Sequence, residues 1–409
     1  MKSETTPKRN LFNICFICKT FLQNRGGTEA YIYRMAKALS AKGHVIHIIT
    51  QEGKEESNLD NLSQEIHIHI IKFNEEPFKG YWRIDKIIPL SRLRFSIAVH
   101  KKIKEIQRKY QIDIIESPDW SVAGFWSAIY KVLPICVKLH GAPNLDDYYP
   151  NSSNKTNLNK WLTQRMNRYL ITNADLVISV SNYYANFVKE SFKINRKINV
   201  LYNGIDQNIY KPLKNTHRDN SILFIGRLEI GKGIEVIAET IPKILDLYPD
   251  IKFIFAGKTT MYKNTKITWS TYLKDNVPSR NLILLDQIPT QEVIKNYQRA
   301  SISVFPSLNE AGGAAALESM ACGCPTIATR VGGFIESIES NVDGLLIPPN
   351  DSNALAEAII MLLTDSSLRE RISLNGINKV TNKFNLNSIL NQTIELYADT
   401  IRIYRNKRI

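Results

Sequence analysis

Ala300 to Arg330 reads ASISVFPSLNEAGGAAALESMACGCPTIATR. The β-branched run that ends in Pro-Ser predicts a strand. The small-residue segment over 313–322 predicts a helix, and CPTIATR predicts a second strand. Strand, helix and strand in so short a span is a parallel crossover unit. Between Glu310 and Glu318 every residue except Leu317 is alanine or glycine. Glu310 falls in the loop after the first strand, and Ala314 begins the helix. Gly312 and Gly313 leave room for a ligand to approach the first helical turn, whose N–H groups have no partner inside the helix. Glu318 follows on the same helix, and each of the two carboxylates can accept two hydroxyl donors at once. The alternative reading is small residues packing a helix tightly on a sheet, and the two are compatible.

The same alternation runs through the chain. In the first half LFNICFICKTF, HVIHIIT, IHIHIIKF, IDIIESP, LPICVKLHG and ADLVISVS read as strands, with helical patterns such as TEAYIYRMAKALSAKG between them. After the polar stretch NGIDQNIYKPLKNTHRDN a second series begins with SILFIGRL, IKFIFAGK and NLILLDQ and ends with DGLLIPP, with helices at 233–247, 290–300, 313–322 and 352–363. The expected fold is α/β: two doubly wound Rossmann-like domains facing a central cleft, over residues 11–206 and 219–388. The amphipathic tail, about 389–409, either closes the second domain or crosses back onto the first. Open parallel sheets bind ligands beyond the carboxyl ends of their strands, so the chemistry is expected there.

Composition sets bounds. The 409 residues are 44% hydrophobic and 22% charged, which suits two globular domains. No apolar run is long enough to span a membrane, and the polar start running into LFNICFIC lacks the pattern of a secretory signal. Five cysteines without disulfide spacing suit a reducing compartment, so a cytoplasmic protein is expected. Cys15 and Cys18 form C-x-x-C, but on a strand the two side chains point to opposite faces, which disfavours a metal or redox pair. The net charge of +14 calls for an anionic partner. No zinc-finger, recognition-helix or RNA-binding signature is present, so nucleic acid is not expected. Residues 79–110 mix Tyr81, Trp82, Ile87, Ile88, Leu93 and Phe95 with many Lys and Arg, which suits an anionic membrane surface as well as an ordinary solvated helix face.

Four further places carry chemistry. Gly26-Gly27 opens a helix after the first strand, although it matches neither G-x-G-x-x-G nor a P-loop. Arg227 ends SILFIGRL, and Lys232 follows between Gly231 and Gly233 at the mouth of a helix; two cations and free N–H groups suit a diphosphate. His140 lies just past a strand in KLHGAP. Glu116, Asp119 and Trp120 lie in ESPDW at another strand end, where an acceptor is the expected contact.

Taken in order, Gly26-Gly27, NGID at 203–206, GRLEIGKG at 226–233, Glu310, the Glu310/Glu318 spacing running into MACGCPTIATRVGG, and NVDGLLIPPND resemble the family 4 retaining glycosyltransferases of GT-B fold. The resemblance covers nearly the whole chain. It implies a sugar-nucleotide donor held mainly by the second domain, an acceptor held mainly by the first, retention of anomeric configuration, and no metal or other cofactor. The chain has no D-x-D, in keeping with that. Arg227 and Lys232 would hold the diphosphate, Glu318 the ribose hydroxyls, and Glu310 the donor sugar. The amides of Ala311, Gly312, Gly313 and Ala314 would meet sugar hydroxyls and phosphate. His140 would contact the sugar near the reacting carbon, and Gly26 and Gly27 would let their loop approach the phosphates. Many relatives have a Phe-Gly pair where this chain has Ala311-Gly312-Gly313, and GKTTMYKNTKITWSTYLKDN replaces a shorter loop. The implied acceptor is a cell-surface glycan or lipid-linked precursor at the inner membrane face. The alternatives are a soluble small-molecule or protein acceptor, or a sugar-nucleotide-binding protein without catalysis.

Overall fold

The computed structural model describes residues 11–19, 21, 26–51, 63–72, 88–119, 122–141, 158–213, 218–263 and 265–407. These residues form two compact units. The first holds the described residues up to Ser179, Ala185–Leu201 and those from Leu390 onward; the second holds Val180–Tyr184 and Tyr202–Ile389.

In the first unit β1 (Asn13–Ile17), β2 (Val45–Gln51), β3 (Ile66–Ile71), β4 (Ile114–Pro118), β5 (Ile135–Leu139), β6 (Leu176–Ser179) and β7 (Asn199–Val200) pair in parallel, in the order β3-β2-β1-β4-β5-β6-β7. Helices α1 (Gly27–Ala41), α2 (Leu90–Tyr110), α3 (Phe125–Tyr130), α4 (Leu158–Asn173) and α5 (Asn182–Phe192) lie between strands in the chain. Parallel pairing needs such crossovers, and they cover the sheet; every residue of β4 and of β5 is buried.

In the second unit β8 (Asp219–Ile225), β9 (Lys252–Ala256), β10 (Leu282–Leu285), β11 (Ala300–Phe305), β12 (Thr326–Thr329) and β13 (Leu345–Ile347) order as β10-β9-β8-β11-β12-β13. Helices α6 (Ile234–Leu247), α7 (Trp269–Asn276), α8 (Thr290–Arg299), α9 (Ala314–Ala321), α10 (Phe334–Ser337), α11 (Ser352–Thr364), α12 (Ser366–Lys383) and α13 (Leu386–Asn406) complete the chain. Each sheet is doubly wound: strand order reverses between β1 and β4, and again between β8 and β11. Those switch points are where side chains at strand ends have open space between diverging connections.

Several elements lacked a signal in the sequence, β7, α7 and α12 among them. The edge strand β7 is two residues long. Helix α7 lies inside the segment read as an insertion; Thr268 Oγ1 caps it by accepting from Thr271 N at 3.2 Å, and Trp269 is fully buried. Helix α12 starts at a similar cap, where Asp365 Oδ1 accepts from Leu368 N at 2.8 Å. In the tail helix α13, Tyr397 donates to Glu116, Tyr404 to the Lys131 carbonyl, and Arg405 pairs with Asp113 at 2.6 Å. At the other end of α13 a Cβ on Gly204 would stand 2.8 Å from the Leu386 Cα, which is why glycine occupies that position.

On the neighbouring strands β2 and β3, His47 Nδ1 lies 2.9 Å from His69 Nε2. Burial first, and neighbouring histidines second, push His47 down to about 3 and His69 down to about 4. The unfolded chain takes up protons at these sites near pH 6.5, whereas the folded chain takes them up only near pH 3–4. Stability is therefore expected to fall as pH drops below about 6.5, flattening once the folded pKa values are passed. Urea midpoints between pH 7 and 4.5 would read the effect, and H69Q should make the decline shallower.

Candidate active site

The second unit assembles its site at the β8/β11 switch point. After β8 the chain passes Gly226 and the exposed Arg227, then makes a short turn of 3-10 helix over Ile230–Lys232 before α6. Gly233 joins turn to helix at φ 72°, with a would-be Cβ 1.8 Å from the Pro306 carbonyl oxygen; a side chain cannot be placed there. This junction brings the turn against the end of β11 and aims Lys232 at the loop after that strand. Lys232 Nζ pairs with Glu310 Oε2 at 2.7 Å. The other oxygen, Glu310 Oε1, accepts from Gly313 N at 3.1 Å, at the N-terminus of α9.

Burial alone would raise the Glu310 carboxyl. The Lys232 ammonium and the amides of Gly313 and Gly312 outweigh it and hold the group below the usual carboxylate range. Arg227 pairs with Glu229 at 2.8 Å. The expected pair of cations is thus charge-balanced by two carboxylates, and the remaining positive field comes from backbone N–H groups at the starts of α6 and α9.

The loop from Glu310 to Gly313 is held from two sides within this unit. Gly333 N donates to the Glu310 carbonyl at 2.8 Å, and Ser181 Oγ donates to the Ala311 carbonyl at 2.6 Å. Gly312 is buried against Val180 and Asn203. Gly313 adopts φ 64°, and a Cβ there would stand 2.9 Å from the Phe334 ring. Ala314 begins α9, and Glu318 lies further along it, half-buried. Burial, and then the charge of Glu318, push the Tyr297 hydroxyl well above its ordinary range, so Glu318 and Tyr297 of α8 are neighbours. Sequence reading missed Ser181, which acts through tertiary contact alone; Asn203 was quoted in NGID but carried no stated role. The VGG at 331–333 was part of the motif but carried no stated role.

In the first unit His140 follows β5, half-buried; its backbone N donates to Asp119 Oδ1 at 3.2 Å, and its ring meets Tyr31 edge-on at 4.7 Å. Burial, then the Lys138 ammonium, push its imidazole well below the ordinary histidine range, so it is neutral at physiological pH. Asp119 is buried and supports the His140 backbone. Gly26 and Gly27 are exposed at the start of α1; a Cβ on Gly27 would meet no described atom within 4 Å, while one on Gly26 would crowd the Glu29 carboxylate.

Two expectations are corrected. Glu116 is not at a strand end facing an acceptor: it is the third residue of β4, 3% exposed, and its carboxylate accepts from the Tyr397 hydroxyl in the core. Phe95, read as part of a surface patch, faces inward from α2 together with Val99, Ile103 and Ile106. Trp120 and residues 79–87 lie outside the described residues. On the described part of that segment, Ile88, Ile97, Lys101, Lys104, Arg108 and Lys109 are exposed.

The contrast between the two glycine sites is testable. Gly313→Ala forces a left-handed residue against Phe334 and should cost about 1–3 kcal/mol, read as a lower thermal midpoint. Gly27→Ala meets no described protein atom and should leave the midpoint essentially unchanged. An equal loss in both would refute this assignment.

Comparison with known proteins fits this geometry. Residues 206–379 match the family model "Glycosyl transferases group 1", and residues 25–208 match "Glycosyltransferase Family 4". An uncharacterized glycosyltransferase of Methanocaldococcus jannaschii is 30% identical over 354 residues, covering 86% of this chain and 88% of that one. Sucrose-phosphate synthase of Thermosynechococcus elongatus superposes with a TM-score of 0.79 at 21% identity, covering 96% of this chain and 100% of that one. Anabaena HepE, solved with UDP-glucose, superposes at 0.73 with 19% identity, covering 96% and 99%. The fold is of the GT-B class. The chain belongs to the family 4, group 1 glycosyltransferases and is a glycosyltransferase that uses nucleotide-sugar donors.

Proposed function

We propose that the chain is a retaining, metal-independent hexosyltransferase that moves a sugar from a nucleotide diphosphate to a hydroxyl of a cell-surface glycan or glycolipid precursor. UDP is favoured over GDP, supported by the UDP-glucose bound to the Anabaena neighbour. The observation that carries the reading is the 2.7 Å pair between Lys232 and Glu310 at the start of α9. It puts an ammonium, a carboxylate and a helix N-terminus at one point, which suits a ligand with an anionic diphosphate beside a ring of hydroxyls.

In this reading Lys232 and Arg227, with the amides leading into α6 and α9, oppose the charge that grows on the departing diphosphate. They take the part a divalent cation would otherwise play. Glu310, ionised because of Lys232 and the Gly313 amide, accepts from donor-sugar hydroxyls, and Glu318 accepts from the ribose. His140, held neutral, meets the sugar near its reacting carbon, and Gly26 and Gly27 admit the phosphates to the α1 start. The acceptor oxygen bonds to the anomeric carbon on the face the diphosphate leaves. The bond from that carbon to phosphate oxygen breaks, and the acceptor proton passes to the departing phosphate. The family to which the chain belongs supports this order of events.

For the acceptor side, the exposed Lys101, Lys104, Arg108 and Lys109 on α2 suit an anionic membrane face, each contributing on the order of 1 kcal/mol near such a surface. Among the described residues no helix is long and apolar enough to cross a membrane. Association with the inner face would therefore be peripheral.

Lys232→Ala should lower kcat/KM by roughly a hundredfold to a thousandfold, and turnover close to wild type would sink the diphosphate role. Among UDP-, GDP- and ADP-sugars, a UDP-sugar should give the largest rise in thermal midpoint, and K232A should abolish that rise. Reversing charge in a K101E/K104E/R108E triple variant should abolish pelleting with anionic vesicles while leaving turnover on a soluble acceptor analogue intact. Undiminished pelleting would refute the membrane assignment.

A further inference from the structure

Strands in the middle of a parallel sheet are ordinarily apolar throughout. Here β4 and β5 bury two charged residues, Glu116 at 3% and Lys138 at 1% exposure. The register sets Glu116 opposite Cys136, so Lys138, two residues on, shares its face of the sheet. Tyr397 of α13 donates to Glu116 Oε2, and the Cys136 thiol lies 3.9 Å from the same oxygen. Lys138 Nζ donates to the Leu201 carbonyl at 3.1 Å and sits 5.1 Å from the centroid of the Tyr31 ring. Tyr31 in turn lays that ring against His140, with centroids 4.7 Å apart and planes at 63°.

A single buried charge without a partner costs several kcal/mol. Burial accordingly raises Glu116 and pulls Lys138 down to about 8, while each opposes the shift of the other. Neither residue has a part in donor binding, yet with Tyr397 and Tyr31 they connect the tail helix to His140, the step from Glu116 to Lys138 being a through-space charge attraction across one face of the sheet and the others direct contacts.

We propose that Tyr397, Glu116 and Lys138 are positioning residues for His140: the tail-helix hydroxyl fixes the Glu116 carboxylate, the carboxylate retains the Lys138 ammonium under Tyr31, and Tyr31 sets the His140 ring. This rests on the reading of His140 as a group that meets the donor sugar. The strut sets the geometry of the reacting end and leaves donor affinity largely alone, because Lys232, Arg227, Glu310 and Glu318, which carry most of the donor contacts in this reading, stand on other elements.

The test uses the full-length protein with Tyr397→Phe, and with Tyr404→Phe as the control. Tyr404 also anchors α13, by donating to the Lys131 carbonyl, which is outside the strut. Y397F should lower kcat roughly tenfold with donor KM within about twofold of wild type, as expected when a reacting group is misplaced by a fraction of an ångström. In histidine-labelled protein the His140 imidazole resonance, assigned from H140A, should shift or broaden in Y397F and stay in place in Y404F. A Glu116→Gln variant, which keeps an acceptor for Tyr397 but removes the charge that retains Lys138, should move the same resonance. An unmoved resonance in Y397F, or equal loss of kcat in Y397F and Y404F, would overturn the proposal. If H140A turns over normally, the sugar-contact reading fails, and the resonance in Y397F still decides whether the strut positions His140.

Discussion

A parallel sheet has one edge at which every strand stops, and the helices that come next in the chain start beyond it. All the pairings in both sheets are parallel, and strand order reverses at β1/β4 and β8/β11. Each unit therefore gathers strand ends, helix N-termini and open space in one place. Glu310, Lys232, His140 and Gly26 owe their positions to that constraint, although they come from distant parts of the sequence. The helix starts contribute partial positive charge and N–H donors whatever the side chains are.

On this scaffold the second unit makes an economical electrostatic arrangement. Lys232 and Arg227 each engage a carboxylate, so the site is not a bare cluster of cations. Glu310 is kept ionised by the same ammonium that a phosphate would attract, together with the Gly313 amide. Two contacts, from the Gly333 amide and the Ser181 hydroxyl, fix the 310–313 loop, so the geometry belongs to the fold and not to one flexible side chain.

The first unit places charge where its topology gives no such help. Glu116 and Lys138 stand in two adjacent inner strands and are sustained by Tyr397, by the Leu201 carbonyl and by each other's field. Buried polar groups of this kind are costly when half-satisfied and rigid when fully satisfied. Their satisfaction depends on a tyrosine more than two hundred residues away in the chain, on the tail helix, whose first turn still belongs to the second unit.

The strands lie where the Ile- and Val-rich runs put them, and α6, α8, α9 and α11 lie within a residue of their expected ends, because periodicity and glycine or proline boundaries are local signals. Helices α7 and α12 and the strand β7 were not legible: two are set by single capping side chains, and one is a two-residue edge pairing. The family was legible because its motifs mark strand ends. By itself, then, the sequence determined the doubly wound α/β class, the family and the residues at the open edges, since these depend on short-range pattern. Only the tertiary structure decided that Lys232 pairs with Glu310, that Glu116 serves the core and not an acceptor, and that the tail helix reaches β4. Those facts depend on which distant side chains meet after the strands pair, and no local periodicity encodes that.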